Sequence, residues 1–297
     1  MSTAHVMAQA KVNLALRILA REASGYHQIE TVFQRLALAD TLTVRESDTR
    51  ALDMRWADPS RAADLGPVEH NLAWRAAEAY AAVAGWPLGF AIEIEKAIPV
   101  GGGLGGGSSD AAAVLRALDA LAARPLGAAA LIDIAARLGA DVAFLTSASE
   151  LALAWGRGER MLDLPPLPAA PVLLVVPNFG VNTGMAYRAL AAHRGAHAGP
   201  ASATWRSPRA LGSWSTVAAD AVNDFEPVVF DMHPALATVR AQLAALPRTI
   251  FALMSGSGST LFAVQEQGTA SPGLLALPAG WALLATTTAP AHPIVIG

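Results

Sequence analysis

Cysteine is absent from this sequence of 297 residues, which excludes disulfide scaffolds, thiolate metal sites and cysteine nucleophiles. Charged residues are scarce at 15%, and with a formal net charge of -3 the chain has no basic field to hold a nucleic acid or an anionic membrane. No apolar run approaches the roughly 20 residues that cross a bilayer, and the first residues lack the pattern of a secretory signal. We therefore expect a cytoplasmic protein that acts on a small molecule, with no nucleic acid and no membrane as partner.

Lysine is almost absent as well, since only two of the 21 basic residues are lysine and the others are arginine. Where generic positive charges are arginine, a remaining lysine is a candidate for a position that needs a compact ammonium rather than a planar guanidinium. Lys11 begins the short string KVN, and Lys96 directly precedes a run of glycines. These positions favour a function for both lysines, with chance survival of either one as the alternative.

Glycine is concentrated between Ile98 and Ala113, in the stretch IPVGGGLGGGSSDAAA. Glycine loses the most conformational freedom on folding, so such a run occurs where side chains would obstruct something, or in a flexible linker. Patterned flanks disfavour the linker, because Phe90–Lys96 alternates like a half-buried strand and residues 108–110 look like a helix start. A glycine loop that leads into a helix presents unpaired N–H groups and a positive dipole end, which predicts a phosphate site.

Two familiar nucleotide loops fit this run poorly. Gly101, Gly103 and Gly106 satisfy the dinucleotide-binding pattern GxGxxG, but so glycine-rich a run matches almost any such template, and it lies far into the chain. In a P-loop alignment, Ser108 stands where the phosphate-binding lysine must be. Both assignments are disfavoured.

The rest of the chain alternates predicted strands and helices. The segment PPLPAAP at Pro165–Pro171 cannot be helical and would interrupt a central strand, so we predict domains at 1–165 and 166–297. Further predicted elements are strands at Val12–Ala20, Thr41–Arg45 and Leu151–Trp155, helices at Asn71–Ala84, with Asn71 as cap, and Leu126–Leu138, a strand in VLLVVP, a helix after Thr183, an exposed loop at about Gly195–Ser215, and strand-like FALM and TLFAV around SGSGS.

The glycine loop resembles the ATP-binding loop of the GHMP kinases, a family named for galactokinase, homoserine, mevalonate and phosphomevalonate kinases. Similar motifs follow in order along nearly the whole chain: KVNLAL, SGYHQIETVFQ, GADVAF, VNTGMAYRAL, NDFE and SGSGST. The resemblance implies an α+β fold of two domains, the first like domain 2 of ribosomal protein S5 and the second a ferredoxin-like α/β sandwich.

The same resemblance implies a small-molecule kinase of isoprenoid precursor synthesis that uses ATP and Mg²⁺ and acts, as a monomer or weak homodimer, on a cytidine diphosphate-linked methylerythritol. A GHMP kinase for another small alcohol, of the homoserine or mevalonate type, is the alternative. A nucleotide-binding module without turnover is a less favoured alternative.

Residue roles carry over from the resemblance position by position. Asp141 corresponds to the aspartate that accepts the proton of the substrate hydroxyl, and Lys11 to the lysine that holds it. Without the family, an Asp after Gly-Ala would read as a helix cap or turn residue. The implied ATP-binding residues are Pro99, Val100, Gly101, Gly102, Gly103, Leu104, Gly105, Gly106, Gly107, Ser108 and Ser109, with Asn71 and Lys96 near the adenosine.

A hydroxyl of Ser108 or Ser109 would meet Mg²⁺, and we expect Asp110 to point away from the phosphates. On the substrate side, the resemblance implies that Tyr26 and His27 hold the cytosine.

Asn13 and Thr183 carry over as further polar contacts to the substrate. SGSGST is expected to be a substrate-side glycine loop, with a plain hairpin turn as the alternative. Ser24 replaces the usual Asp before Gly-Tyr-His, and Asn182 replaces a common Ser, so these two positions bear on fine substrate specificity.

Overall fold

The structure, a computed structural model, describes residues 2–21, 27–59, 66–196, 211–268 and 275–297. Its elements are β1 (Thr3–Arg21), β2 (His27–Glu46), β3 (Ala51–Trp56), α1 (Leu72–Ala84), β4 (Phe90–Lys96), α2 (Gly106–Leu121), α3 (Ala128–Leu138), α4 (Ala140–Thr146), β5 (Leu151–Gly156), β6 (Arg160–Asp163), β7 (Pro171–Val176), α5 (Thr183–Ala196), α6 (Trp214–Asp220), α7 (Glu226–Met232), α8 (Pro234–Ala245), β8 (Thr249–Met254), β9 (Leu261–Gln265), β10 (Ala282–Thr287) and β11 (Val295–Ile296). The predicted α+β class is confirmed.

The first sheet is organised around the long strand β2. Its order is β11-β1-β2-β4-β3, and β2 additionally pairs through residues 29–34 with β5, which continues to β6. Helices α1 to α4 supply a common core with this sheet. The run Ala111, Ala112 and Ala113 is fully buried in α2, because small side chains let this helix lie close to β1 and β2.

The second sheet is antiparallel, in the order β10-β7-β9-β8, and α8 packs against β8 and β9. One apolar cluster joins the two sheets, since Val12 and Leu36 of the first share it with Leu174 and Phe262 of the second. The segment 165–171 lies at the change of sheet, although β11 returns to pair with β1. The division at 165/166 stays a prediction.

Local signals in the sequence predicted several elements correctly. The strand Phe90–Lys96 is confirmed, and Asn71 caps α1 by accepting the N–H of Ala73 at 2.8 Å. The predicted start of α2 at residues 108–110 is wrong, because the helix begins at Gly106 behind Gly105, which has a left-handed φ of 76°.

The exposed loop predicted at about 195–215 overlaps the flanking helices by one or two residues at each end. Helix α5 extends to Ala196, and α6 begins at Trp214 behind a capping box between Ser213 and Thr216. Residues 197–210 of that prediction lie outside the described residues. Within the described parts of the chain, no helix is both long and apolar enough to span a membrane.

Candidate active site

A cleft of about 1390 Å³ lies between the two halves of the chain, and both halves line it. Lys11 and Asn13 of β1, Asp141 of α4, Thr183 of α5 and Ser257 of the β8–β9 connection all contribute to its wall. Its volume is somewhat above the range of most small-molecule pockets, so a large polar ligand fits.

Lys11 and Asp141 meet in this cleft, with 3.1 Å between Nζ and Oδ2. The Lys11 ammonium also donates to Oδ1 of Asn13 at 2.8 Å, and the Asn13 amide donates to the Thr31 hydroxyl at 2.8 Å. The Lys11 side chain is 3% exposed and that of Asp141 is 32% exposed. The arrangement therefore combines a buried, fixed cation with a carboxylate open to a ligand.

The backbone explains how these side chains meet. Lys11 and Asn13 are two residues apart on β1 and so lie on one face, between irregularities in the β1–β2 register at Gln9/Lys11 and Asn13/Ala15. Asp141 lies in the first turn of α4, where the helix dipole favours a carboxylate. The structure thus brings two sequence-predicted residues of β1 together with a third, Asp141, from a distant part of the chain.

A second, smaller pocket of about 220 Å³ lies on the other side of the glycine loop. It is lined by Asn71, Lys96 and the whole run Pro99–Gly107, and it shares Gly101 and Gly103 with the large cleft. The loop therefore borders both pockets, which adjoin at Gly101 and Gly103, and direct transfer of a group between two ligands requires sites that adjoin in this way.

The glycines of this loop meet different demands. A Cβ on Gly102 would lie 2.3 Å from the Thr260 hydroxyl, and one on Gly103 would lie 2.1 Å from the carbonyl oxygen of Ser255. A Cβ on Gly107 would meet only the Leu72 side chain, at an ordinary contact distance of 3.9 Å, so no close neighbour requires glycine there. Part of the bare backbone thus serves protein packing, and part faces the pocket.

The second glycine loop, SGSGST, is the element against which the first one packs. Ser255 donates its hydroxyl to the carbonyl of Gly103 at 2.9 Å, and the N–H of Thr260 donates to the carbonyl of Gly102 at 3.1 Å. Ser257 lines the cleft and lies within hydrogen-bond distance of Thr183, with 2.9 Å between their hydroxyl oxygens. This connection is therefore more than a hairpin turn, since it contacts both the phosphate loop and the cleft.

The two serines after the glycines differ in availability. The Ser109 hydroxyl is buried and donates to the carbonyl of Gln9, whereas Ser108 lines the large cleft. Asp110 also lines the small pocket beside the loop, and its Oδ2 lies 2.6 Å from Nζ of Lys96, so its orientation relative to the phosphates stays a prediction. Of the two candidate metal-binding hydroxyls, Ser108 is the one open to a ligand.

Lys96 lies beneath the loop between two buried carboxylates, those of Asp40 and Asp110. Asp40 also accepts the N–H groups of Ala97 and Ile98, at 2.6 and 2.7 Å, and so fixes the start of the loop. Burial acts to lower the pKa of Lys96, but the two carboxylates outweigh it and raise that pKa. The Lys96 charge is thus already neutralised within the protein, and its contact with adenosine stays a prediction.

His27 lines the far end of the cleft, where its ring stacks on that of Tyr187 with 4.3 Å between centroids. Burial raises the pKa of Tyr187, and the charge of Asp141 raises it further. Tyr187 follows Thr183 by four residues on α5, and this helical spacing is a signal that would have found it. Tyr26 and Ser24 lie outside the described residues.

Three arginines of the cleft wall were missed by sequence reasoning: Arg137, Arg157 and Arg160 are all exposed there. They cluster because the turn between β5 and β6 lies against the start of α4, where a Cβ on Gly158 would be 2.4 Å from that of Ala140. Glu159 lines the same wall, with its Oε1 3.6 Å from Nε of Arg160, so three arginines there stand against one glutamate and this part of the wall is positive on balance.

Comparisons with known proteins show the family to which this chain is similar. Residues 71–149 match the family profile described as "GHMP kinases N terminal domain", and residues 195–282 match "GHMP kinases C terminal". The 4-diphosphocytidyl-2-C-methyl-D-erythritol kinase of Heliobacterium modesticaldum is 40% identical over 270 residues, covering 86% of this chain and 84% of that protein. The protein of the same name from Parvibaculum lavamentivorans is 37% identical over 278 residues, covering 92% and 94%.

Solved structures of GHMP kinases are also similar to this chain. A crystal structure of 4-(cytidine 5'-diphospho)-2C-methyl-D-erythritol kinase superposes with a TM-score of 0.70 at 36% identity, covering 88% of this chain and 89% of that one. Homoserine kinase from Cytophaga hutchinsonii superposes with a TM-score of 0.69 at 16% identity, covering 99% and 97%, and so shares the fold.

Proposed function

The chain belongs to the GHMP kinase family, and we propose that it transfers the γ-phosphoryl group of ATP to the C2 hydroxyl of 4-diphosphocytidyl-2-C-methyl-D-erythritol. The products are the 2-phosphate and ADP, a step of non-mevalonate isoprenoid precursor synthesis. Family membership confirms the predicted two-domain GHMP fold. The contact between Lys11 and Asp141, at the border between the cleft and the glycine loop, carries the proposal.

Asp141 is the proton acceptor in this proposal. As the bond from the C2 oxygen to phosphorus forms and the bond from phosphorus to the ADP oxygen breaks, the hydroxyl proton passes to the Asp141 carboxylate. An aspartate is a weak base toward an alcohol, so the proton leaves late, when the new bond has acidified it. Lys11, held by Asn13 and Asp141, keeps positive charge beside the reacting oxygen.

The glycine loop fits a triphosphate. Gly101, Gly103 and Gly105 have φ values of 73°, 80° and 76°, and α2 begins directly after them, so N–H groups and the helix dipole face a common space. Bound with the nucleotide, Mg²⁺ would neutralise charge on the phosphate oxygens.

Among the described residues, no group of three or more His, Cys, Asp and Glu side chains could hold a metal ion. We therefore propose that the nucleotide phosphates supply most Mg²⁺ ligands, with the Ser108 hydroxyl as the protein contribution.

The shape and charge of the cleft favour a cytidine diphosphate-linked acceptor over homoserine or mevalonate. The His27–Tyr187 pair offers an aromatic surface for a base, and Arg137, Arg157 and Arg160 offer positive charge for a diphosphate. Homoserine and mevalonate have neither group. A cytoplasmic location and a monomer or weak homodimer stay predictions.

A comparison of three acceptors tests this function. ADP release is measured with Mg-ATP and diphosphocytidyl-methylerythritol, homoserine or mevalonate, and we expect the diphosphocytidyl compound to give by far the highest kcat/KM. A preference for homoserine or mevalonate would assign the chain to another member of the family. If the protein binds the nucleotide but releases no ADP with any of the three acceptors, it is a nucleotide-binding module and not a kinase for these compounds.

A further inference from the structure

We propose that Arg35 is a positioning residue for phosphoryl transfer, which holds one end of α4 and thereby fixes Asp141, at the other end, against Lys11. This inference rests on the proposed role of Asp141. Arg35 lies on β2, its side chain is fully buried, and it does not line the cleft.

The guanidinium of Arg35 is bonded to the backbone at the C-terminal end of α4. Its Nη2 donates to the carbonyl oxygens of Phe144 at 3.2 Å and Ser147 at 2.9 Å, and its Nε donates to that of Ser149 at 3.1 Å. The last carbonyls of a helix have no partner within the helix, and a cation there also interacts favourably with the dipole. Ser147 caps the same end, because its N–H and its hydroxyl also donate to the Phe144 carbonyl. Arg35 therefore adds charged donors to this cap and ties it to β2.

Helix α4 needs such support because it has only seven residues, Ala140–Thr146. A helix this short is not stable by itself, so its position depends on tertiary contacts. Asp141 stands in its first turn and Phe144 lies three residues later, on the same side. Any displacement of the end that Arg35 holds is thus transmitted over less than two turns to the Asp141 carboxylate.

A chain of ring contacts connects Arg35 to Lys11 as well. The Arg35 guanidinium lies 5.1 Å from the centroid of the Phe144 ring, which stacks on the Phe33 ring at 4.9 Å. The Lys11 ammonium lies 5.3 Å from the centroid of that same Phe33 ring. Arg35 and Phe33 are alternate residues of β2, so one strand face positions both members of the Lys11–Asp141 pair.

The charge of Arg35 is costly where it lies, which argues against a generic packing role. Burial lowers its pKa to about 9, with Arg116 lowering it further and Glu150 acting in the opposite direction. Within the described residues no carboxylate forms a salt bridge with Arg35, and its donors go to main-chain carbonyls. An apolar side chain would fill this core position at lower cost, but it would leave the end of α4 with the Ser147 cap alone.

A double-mutant cycle tests the proposal in the full-length chain. Arg35→Met is made in the wild type and in Asp141→Asn, and kcat is measured for each. If Arg35 acts through Asp141, Arg35→Met lowers kcat by about 10²-fold in the wild type, the loss typical of a 1 Å misplacement. In Asp141→Asn it lowers the residual rate less than twofold, and KM for ATP stays within twofold throughout.

Equal losses in both backgrounds, or no loss in the wild type, would overturn the proposal. Arg35→Lys keeps the positive charge but has fewer hydrogen-bond donors, so we expect its kcat to lie between those of Arg35→Met and the wild type. Tyr80→Phe is the control for general destabilisation, since it removes a buried hydroxyl that donates to Asp119 away from the cleft, and it should leave kcat unchanged.

Two provisions keep the test decisive. If Arg35→Met does not fold, the same cycle with Phe144→Leu, which removes the ring between Arg35 and Phe33, takes its place with the same two outcomes. The cycle is run on whichever acceptor the wild type phosphorylates best. Failure of the proposed substrate is then visible in the wild type alone, separately from the coupling between Arg35 and Asp141.

Discussion

The ammonium of Lys11 lies 3.1 Å from the carboxylate of Asp141, with the lysine buried at 3% exposure and the aspartate open at 32%. The exposed member of the pair is thus the one that must receive a proton from a ligand. The buried member is held by Asn13 and lies over the Phe33 ring, so its position is fixed before any substrate binds. Such preorganised charge is the main contribution that a kinase of this type makes.

Lys11→Arg is expected to lower kcat by about tenfold or more, although the charge is retained. The lysine stem is closely packed, with its Cγ and Cε 3.1 Å from where a Cβ on Gly105 would be, and a planar guanidinium does not fit that space. Steady-state ADP release measures the effect. The matched control is Arg55→Lys in an exposed pair with Glu95, which should leave kcat unchanged, and full activity of Lys11→Arg would refute the special role of a lysine here.

Loss of positive charge from the cleft wall is expected to weaken acceptor binding. Arg160→Gln and Arg137→Gln should each raise KM for the diphosphocytidyl acceptor about tenfold, the cost of one charge-assisted hydrogen bond, and leave KM for ATP unchanged. Arg124→Gln is the control, because Arg124 is exposed but does not line the cleft. If the substitutions raise KM for ATP and leave KM for the acceptor unchanged, these arginines contact ATP and the prediction is wrong.

Gly103→Ala is expected to disrupt the contact between the two glycine loops. Its φ of 80° disfavours a side chain, and the added Cβ would lie 2.1 Å from the Ser255 carbonyl oxygen. Gly127→Ala has a similar φ of 83° but no atom within 4 Å, so it isolates the backbone strain, on the order of 1–3 kcal/mol at its extended ψ of 167°.

Urea unfolding and ATP titration check the difference between these two variants. In Gly103→Ala, we expect both the free energy of unfolding and the ATP affinity to be well below those of Gly127→Ala. Identical behaviour of the two would show that the loops do not depend on each other.

The buried carboxyl of Asp110 predicts a pH dependence of stability. Burial raises its pKa to about 8, despite the opposing charge of Lys96 and with help from Asp40. A carboxyl whose pKa is higher in the folded state binds its proton more tightly there. Its contribution to the free energy of unfolding is therefore present below about pH 4 and is lost as the pH rises through about 8.

Asp110→Asn should remove that contribution to the pH dependence. Urea unfolding at pH 5 and at pH 8.5 measures it, and the variant is expected to gain stability relative to the wild type at the higher pH. A difference between variant and wild type that stays the same at both values would contradict the raised pKa.

Features that depend on neighbouring residues in the chain were predictable from the sequence. The Asn71 cap and the strand Phe90–Lys96 follow from local side-chain chemistry and periodicity, and the structure has both. The start of α2 was misplaced because glycine backbone, rather than Ser109 or Asp110, leads into the helix.

Features set by distant contacts were not predictable in this way. Asp141 has no local signal that distinguishes it from a cap, and only the ordered family motifs singled it out. In the sequence, Arg35 is not distinguishable from any other arginine of a strand, and only its contact with α4 indicates a role. Likewise, Gly102 needs a bare backbone because Thr260, which is distant in sequence, packs against it. Periodicity carries no information about such pairs.

Asp141→Asn tests the central claim most directly, because it removes the proton acceptor and hardly changes shape. ADP release with the diphosphocytidyl acceptor and ATP affinity by titration are measured on the same preparations of wild type and variant. The account predicts that kcat falls by about 10²- to 10⁴-fold, the usual worth of a placed general base, while ATP affinity stays within twofold. A variant that turns over at the wild-type rate would remove Asp141 from the mechanism and contradict the account.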